Sequence, residues 1–445
     1  MYALGHELAQ TPSHKFDLAH MRVLLAALGH PEKRFPSVLV AGTNGKGSTA
    51  ATLASILRAS GLKTGLYTSP HLLRINERIR IDGTAIDDDA FAMLHGVVDR
   101  TAERLVSEGD LPWHPSFFET LTAMAFEYFA GQRPDIVVLE VGMGGRLDAT
   151  NVVDPMLSII TDIALDHQKF LGETISEIAR EKAGIIRPRG VVVTLPQLPE
   201  ANDVIGNAIL DAGARAVNAV PYVPPVSPGS AKSLSGDEGT TIFRNRYPLE
   251  VMGEEIMVDS PLVGRHQLRN MALAIAAAEE LRNQGLSGIT PSTIARGIRE
   301  TRWPGRFEVA RPAAEGPTYV LDVAHNPAGA WALRAAISDA YPDAAEITMV
   351  FGVMRDKAMQ EMAEILFPIA GHVILTHANN PRAATPAEIR QAAARVATGM
   401  RIEDAESVTG ALEAAKEAAG GRGLVVVTGS IYVVGEAMQI LGVRI

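Results

Sequence analysis

The sequence predicts two α/β domains with mostly parallel sheets, and three observations carry that expectation. Short apolar runs alternate with helix-length amphipathic stretches along most of the chain, the pattern of strands joined by crossover helices. The alternation breaks at Arg302-Trp303-Pro304-Gly305-Arg306, where proline and glycine end a helix and a second α/β pattern begins. At 445 residues, the chain is also too long for one ordinary core. The expected boundary lies near residue 302, giving domains 1–302 and 303–445 with a cleft between them, where ligands commonly bind.

In the first domain Ser37–Ala41 reads as a strand, Ser48–Ser60 as a helix and Lys63–Tyr67 as a strand. Strands Asp135–Val141 and Leu157–Ile160, helix Ile175–Ile185 and strand Val191–Thr194 follow. From Val217 to Pro261 the pattern changes. Prolines cluster at Pro221, Pro224, Pro225 and Pro228, then come short β-like pieces, read as an insertion or a β-rich flank. His266–Asn283 is an Ala-rich helix, and Thr290–Glu300 looks helical too. In the second domain the strands fall near Thr318–Asp322, Ile347–Phe351, His372–Thr376 and Leu424–Thr428, with helices between them.

Composition narrows the function classes. Apolar residues make up 47% and charged residues 21%, the balance of a globular chain. A net charge of −10 should repel nucleic acid overall, so an anionic ligand needs a locally basic pocket. The chain has no cysteine, which removes disulfides, thiolate metal sites and cysteine nucleophiles. Met1 to His6 lack a basic region followed by an apolar one, and no apolar stretch approaches the ~20 residues that span a bilayer. A soluble, cytoplasmic protein without nucleic-acid or membrane partners is expected.

The strongest local signal is Val38-Leu39-Val40-Ala41-Gly42-Thr43-Asn44-Gly45-Lys46-Gly47-Ser48-Thr49. An apolar strand runs into a glycine-rich turn, a lysine and then hydroxyl residues that open a helix. Such a loop brings backbone N–H groups and a helix N-terminus to phosphate oxygens, and Ser48 or Thr49 can ligate Mg²⁺. It departs from the strict pattern because Gly47 separates Lys46 from Ser48. The structural alternative is a plain glycine-rich turn. The loop makes the first domain P-loop NTPase-like in expectation, and the second α/β pattern is expected to form a Rossmann-like domain.

Other residues fall where a nucleotide site needs them. Ile136-Val137-Val138-Leu139 ends in Glu140, a carboxylate at the carboxyl end of a buried strand, beside the phosphate loop of a doubly wound sheet. Asp166-His167 follows the next strand. Ile175, Ile178, Ala179, Lys182 and Ile185 share one helical face, which sets Lys182 on an apolar stripe. There it snorkels, pairs with an acid or carries a depressed pKa; pattern alone favours snorkelling. In the second domain, strand residues Tyr319-Val320-Leu321 lead into Asp322-Val323-Ala324-His325-Asn326-Pro327. Asn326 is a good helix N-cap and Pro327 a good first-turn residue. Asp322 and His325 face the expected cleft, and Arg306 could deliver a cation to phosphates on domain closure.

These residues resemble the folylpolyglutamate synthase and dihydrofolate synthase enzymes, relatives of the muramyl peptide ligases. The matching stretches include Gly42 to Ser48, Ser69-Pro70-His71, Asn76 to Ile79, Phe117-Phe118-Glu119 and Leu139 to Asn151. Asp166-His167, Leu171-Gly172, Glu181 to Ile185, Gly264 to Gln267 with Asn270, and Pro304 to Glu308 follow in order. Asp322 to Pro327, Asp356-Lys357 and Thr428-Gly429-Ser430 complete the set. The resemblance implies an ATP-dependent ligase that phosphorylates a folate-type carboxylate and couples it to L-glutamate. The acceptor would be dihydropteroate or a reduced folate.

The same resemblance implies the site. Thr43, Asn44, Gly45, Lys46, Gly47, Ser48, Thr49, Asn270, Arg306 and Asp322 would bind ATP. Ser48, Ser69, Glu140 and His167 would hold Mg²⁺, and Ser69, His71, Phe118 and Glu119 would face the acceptor. Lys182, carbamylated, with His325 and Arg306, would act in catalysis. Gln168 after His167 and Val323 depart from the family pattern without removing a functional side chain. K⁺ use is left undecided, as is oligomeric state, with a monomer expected. Two other readings stay open: a different Mur-type peptide ligase, which the Gly47 insertion argues against, and a non-catalytic nucleotide-binding protein.

Overall fold

The computed structural model of the chain describes residues 18–225, 231–235, 241–313, 315–342, 344, 346–396 and 399–443. Its first sheet has eight strands: β1 (Ser37–Ala41), β2 (Thr64–Tyr67), β3 (Ile79–Ile81), β4 (Thr84–Ala85), β5 (Ile136–Glu140), β6 (Leu157–Ile160), β7 (Val191–Thr194) and β8 (Arg215–Asn218). They are ordered β4-β3-β2-β5-β1-β6-β7-β8. From β2 to β8 every pairing is parallel, while β3 and β4 form an antiparallel edge.

Strands buried on both faces must be apolar throughout, and β1, with all five residues buried, shows why they read as continuous runs. Leu39 and Ala41 enter one core with helices Leu18–Ala27, Asp88–Glu108 and Phe117–Gln132. Val38 and Val40 enter the opposite core with helices Lys46–Ala59, Arg265–Asn283 and Pro291–Glu300.

The segment expected as an insertion forms a small antiparallel sheet of β9 (Ala231–Ser235), β10 (Thr241–Val251) and β11 (Glu254–Ser260), ordered β11-β10-β9. Met252 and Gly253, at φ 53° and 79°, turn β10 into β11, the left-handed pair a tight hairpin prefers. Leu249, Val251, Ile256 and Val258 pack into the second core. Pro228 of the proline cluster lies outside the described residues.

The third sheet contains β12 (Glu308–Ala310), β13 (Thr318–Leu321), β14 (Ile347–Phe351), β15 (His372–Leu375), β16 (Arg401–Asp404) and β17 (Leu424–Thr428). Its order is β12-β13-β17-β14-β15-β16, with only the β12–β13 pairing antiparallel. Apolar clusters cover both of its faces. Among the described residues no helix is long and apolar enough to cross a membrane.

Candidate active site

The carboxyl ends of β5, β1 and β6 lie side by side, and each contributes to one site. After β1 the chain turns through Gly42 to Gly45, which stands at φ 89° as the N-cap of helix Lys46–Ala59. A Cβ there would fall 2.1 Å from Asn270 Oδ1, so only glycine fits against that asparagine. The loop is fixed from the neighbouring strand: the Thr43 and Asn44 amides donate to the Asp162 carbonyl at 2.9 and 3.1 Å. The Thr43 hydroxyl donates to Ala164 O at 3.0 Å. The helix's first amides have no intrahelical acceptors and form a ready anion site. Lys46 curls over the loop, donating to the Gly42 and Thr43 carbonyls at 3.2 Å each.

A cleft of about 1270 Å³ opens above this loop. Glu140, Lys182 and Asn270 line it from the first sheet's side, and Arg306, Asp322, His325 and Lys357 from the third sheet's side. Ser48, Ser69, His167 and Phe118 also face it. Thr49 does not line the cleft; it is fully buried, with its hydroxyl toward Asn270 O. His71 is also absent from the lining and accepts a hydrogen bond from Arg78 Nε at 3.0 Å. Glu119 lines the cleft, yet its carboxylate accepts the Ser116 amide in the capping box of helix Phe117–Gln132.

The pattern-based snorkelling expectation for Lys182 fails. Its side chain is 3% exposed, and its ammonium donates to Gly42 O at 2.7 Å, the carbonyl that Lys46 also uses. Burial first, and Lys46 next, lower its pKa to about 7; Asp166 and Asp148 oppose them. The stripe around Lys182 packs against the first sheet's core, which leaves the four-carbon stem no route to water.

Glu140 is 4% exposed, accepts the Ser69 amide at 3.1 Å and has no ion pair among the described residues. Burial raises its pKa, while Lys46, the Ser69 N–H, Arg306 and Arg78 work the other way. A buried carboxylate of this kind wants a cation. With the Ser48 and Ser69 hydroxyls it forms a hard-oxygen set that suits Mg²⁺, an ion that keeps waters and phosphate oxygens beside one or two protein ligands. His167, lowered to about 4 chiefly by burial, is a neutral nitrogen donor at the rim of the same cleft. The residues present fit the ion.

Loops of the third sheet reach across the cleft. Asp322 accepts the Phe307 and Ala324 amides at 2.8 and 2.9 Å, so it ties Arg306's neighbour to the end of β13. Arg306 is half-buried and has no ion pair among the described residues; desolvation disfavours its charge, and Asp322 and Glu140 favour it. Asn326 caps helix Pro327–Ala340 through Gly329 N, as expected, and its amide group also donates to Asn44 Oδ1 at 3.0 Å. His325 Nδ1 lies 2.9 Å from Val323 O, which fixes the proton on Nδ1 and leaves Nε2 as an acceptor. Burial, then Lys357, lower its pKa to about 4, so it is neutral at pH 7.

Sequence reasoning gave no role to the contact that joins the two sides most directly. Lys357 Nζ meets Asp166 Oδ1 at 2.7 Å, with side-chain exposures of 10% and 9%. Burial pushes the Asp166 carboxyl up, but His167, Lys357 and His325 outweigh it and hold the group well below the usual range. Only the position of Asp356-Lys357 after β14, and of Asp166 after β6, hinted at this pair. Lys357→Ala strands a buried carboxylate, and breaking such pairs costs about 3–5 kcal/mol. A matching fall in unfolding free energy is expected by denaturant titration, partly restored in Lys357→Ala/Asp166→Asn; an unchanged midpoint would contradict it.

Two family models match the chain. The Mur ligase middle domain covers residues 40–278 and the Mur ligase glutamate ligase domain covers residues 305–431. The chain is 35% identical to a folylpolyglutamate synthase of Lacticaseibacillus casei over 98% of its length and 95% of that protein's. It is also 35% identical to a dihydrofolate synthase/folylpolyglutamate synthase of Bacillus subtilis, covering 94% and 93%. A Mycobacterium tuberculosis folylpolyglutamate synthase structure complexed with ADP and AMPPCP superposes with a TM-score of 0.85 at 32% identity, over 96% and 95% of the two chains.

Proposed function

This chain belongs to the Mur ligase family, in the branch of the folylpolyglutamate and dihydrofolate synthases, and we propose how its own residues carry out the ligation. It is an ATP-dependent ligase that couples glutamate to a folate-type carboxylate. The observation that carries the residue assignment is the convergence of the phosphate loop, Glu140, Lys182, Arg306 and His325 on one cleft.

The amides that open helix Lys46–Ala59, with Lys46, take the ATP phosphates. Ser48, Ser69, Glu140 and His167 would hold Mg²⁺, which when bound would offset phosphate charge. Arg306 supplies a further cation from the second domain. The acceptor's carboxylate oxygen attacks the γ-phosphorus; the bond to the β-phosphate oxygen breaks, giving an acyl phosphate and ADP. The glutamate amine then attacks the acyl carbonyl, the amide forms and phosphate leaves. Neutral His325, with Nε2 open, takes the proton the amine gives up. Phe118, whose ring lies 6.1 Å from that of Tyr67, and Ser69 present an acceptor-side wall.

Lys182 has a second role in this reading. A neutral amine adds to CO₂ with loss of a proton, giving a carbamate anion. Beside Lys46 that anion turns two ammoniums sharing the Gly42 carbonyl into an opposite-charge pair. The protein acts as a monomer in the cytoplasm, with ATP, L-glutamate and dihydropteroate or reduced folate as its partners.

Phosphate release from ATP with Mg²⁺, omitting each component in turn, tests the reading. Release is expected only with glutamate and a pterin acceptor together, and the acceptor that supports it identifies which of the two activities the chain has. Release that needs neither would contradict the assignment.

A further inference from the structure

Gly47 is the residue that makes the phosphate loop irregular, and its backbone does not require glycine. It is the second residue of helix Lys46–Ala59, and its φ is not among the positive values. Glycine inside a helix is less favourable than alanine, so something else must hold the position open. Trp303 does. A Cβ on Gly47 would lie 2.7 Å from Trp303 Cζ2, 3.1 Å from Cε2 and 3.2 Å from Nε1. The indole therefore presses directly on the loop's backbone, and its Nε1 is buried with no hydrogen-bond partner. It is not among the residues that line the cleft.

The same ring has two cationic neighbours. The guanidinium carbons of Arg80 and Arg306 each sit 6.0 Å from its centroid. Arg80 lies in β3 of the first sheet, whereas Arg306 opens the second domain three residues after Trp303. Between Trp303 and Arg306 the linker makes one tight bend, with Gly305 at φ 72° packed on Val323 and Leu72. The indole is thus a rigid body that touches the phosphate loop on one edge and flanks the arginine delivered from the other domain.

We propose that Trp303 is a positioning residue that sets the phosphate loop and Arg306 together, its indole braced against the backbone of Gly47. The proposal rests on the ATP-site reading given above. Phosphate entering the loop shifts the peptide at Gly47, the indole follows, and Arg306 moves with it; linker and loop are one mechanical unit. On this account glycine stands between Lys46 and Ser48 because a methyl there would force the indole away, and with it the arginine.

A double-mutant cycle on the full chain tests this. Trp303→Phe removes the ring atoms nearest Gly47, and Gly47→Ala adds the methyl. Gly47→Ala alone should raise KM for ATP about tenfold and lower kcat as well, the penalty of a small misplacement at a reacting centre. Trp303→Phe alone should raise KM a few-fold. The double variant should fall closer to Trp303→Phe than to Gly47→Ala, because the phenyl leaves room for the methyl. Independent effects that multiply would overturn the proposal. In a Trp113→Phe/Trp331→Phe background the remaining indole should change emission when ATP is added, and constant emission at saturation would overturn it too. Calorimetry of ATP on the unmodified chain separates the failures: no binding refutes the ATP-site reading itself, whereas binding with a multiplicative cycle refutes only the role of Trp303.

Discussion

Replacing Lys182 with alanine is expected to lower turnover by at least about 10²–10³-fold, the range found when one preorganised electrostatic group is lost from a catalytic site, while the protein still folds. The buried Gly42 carbonyl keeps its hydrogen bond from Lys46, so no orphan acceptor remains. The truncation opens a cavity, but it also removes an amine whose burial is unfavourable. Short carboxylic acids added to the variant should recover part of the rate by standing in for the carbamate; full activity without them would refute the carbamate role. The pH dependence has a definite sign. With its pKa near 7, Lys182 is ammonium below that value and cannot add CO₂, so activity should fall as pH drops below 7 and respond to bicarbonate. Lys46, Asp166 and Asp148 are the charged groups that set this value. The lysine's folded pKa lies below its unfolded value of 10.5, so the unfolded chain holds the extra proton between pH 7 and 10.5. The stability cost is therefore full below pH 7 and fades as pH rises through that window.

Lys46→Ala should raise KM for ATP by about two orders of magnitude and depress kcat, since in the proposed site the ammonium is the loop's own point charge for the phosphates. Its two hydrogen bonds go to carbonyls of its own loop, and Gly42 O keeps the Lys182 bond. Stability should therefore shift by less than about 1 kcal/mol, as for partly exposed sites without a buried partner. A variant with unchanged ATP kinetics would remove the phosphate-loop assignment, and a variant that unfolds would make Lys46 a structural residue.

Much of this site could be read in the sequence because strand ends announce themselves. Glu140 and Asp322 each follow an apolar run, and a parallel sheet sends such ends to one side. Asn326-Pro327 marked a helix start that the structure reproduces through the Gly329 amide. Helices Asp88–Glu108 and Phe117–Gln132 were not assigned, although their signals were present: Asp87 caps the first, and Ser116 with Glu119 forms a capping box at the second. That box also explains why Glu119, a candidate acceptor-side residue, spends its carboxylate on a backbone amide. Lys182 was placed on the correct helical face, but periodicity cannot say how deep a face lies, and depth decided between snorkelling and burial. The Asp166–Lys357 pair and the Trp303–Gly47 contact join residues 191 and 256 positions apart. Local pattern carries no information at that separation; only the folded arrangement of two domains brings them together.

The central claim is that ATP activates the acceptor's carboxylate before glutamate attacks. Its most direct test is isotope transfer: dihydropteroate or reduced folate carrying ¹⁸O in the reacting carboxylate, incubated with ATP, Mg²⁺, L-glutamate and the protein. An acyl phosphate requires the oxygen that bridged carbon and phosphorus to leave with the phosphate, so one ¹⁸O per turnover is expected in the released inorganic phosphate by mass spectrometry. Amide formation with unlabelled phosphate would show that ATP is cleaved by another nucleophile, and the account of this cleft would fall with it.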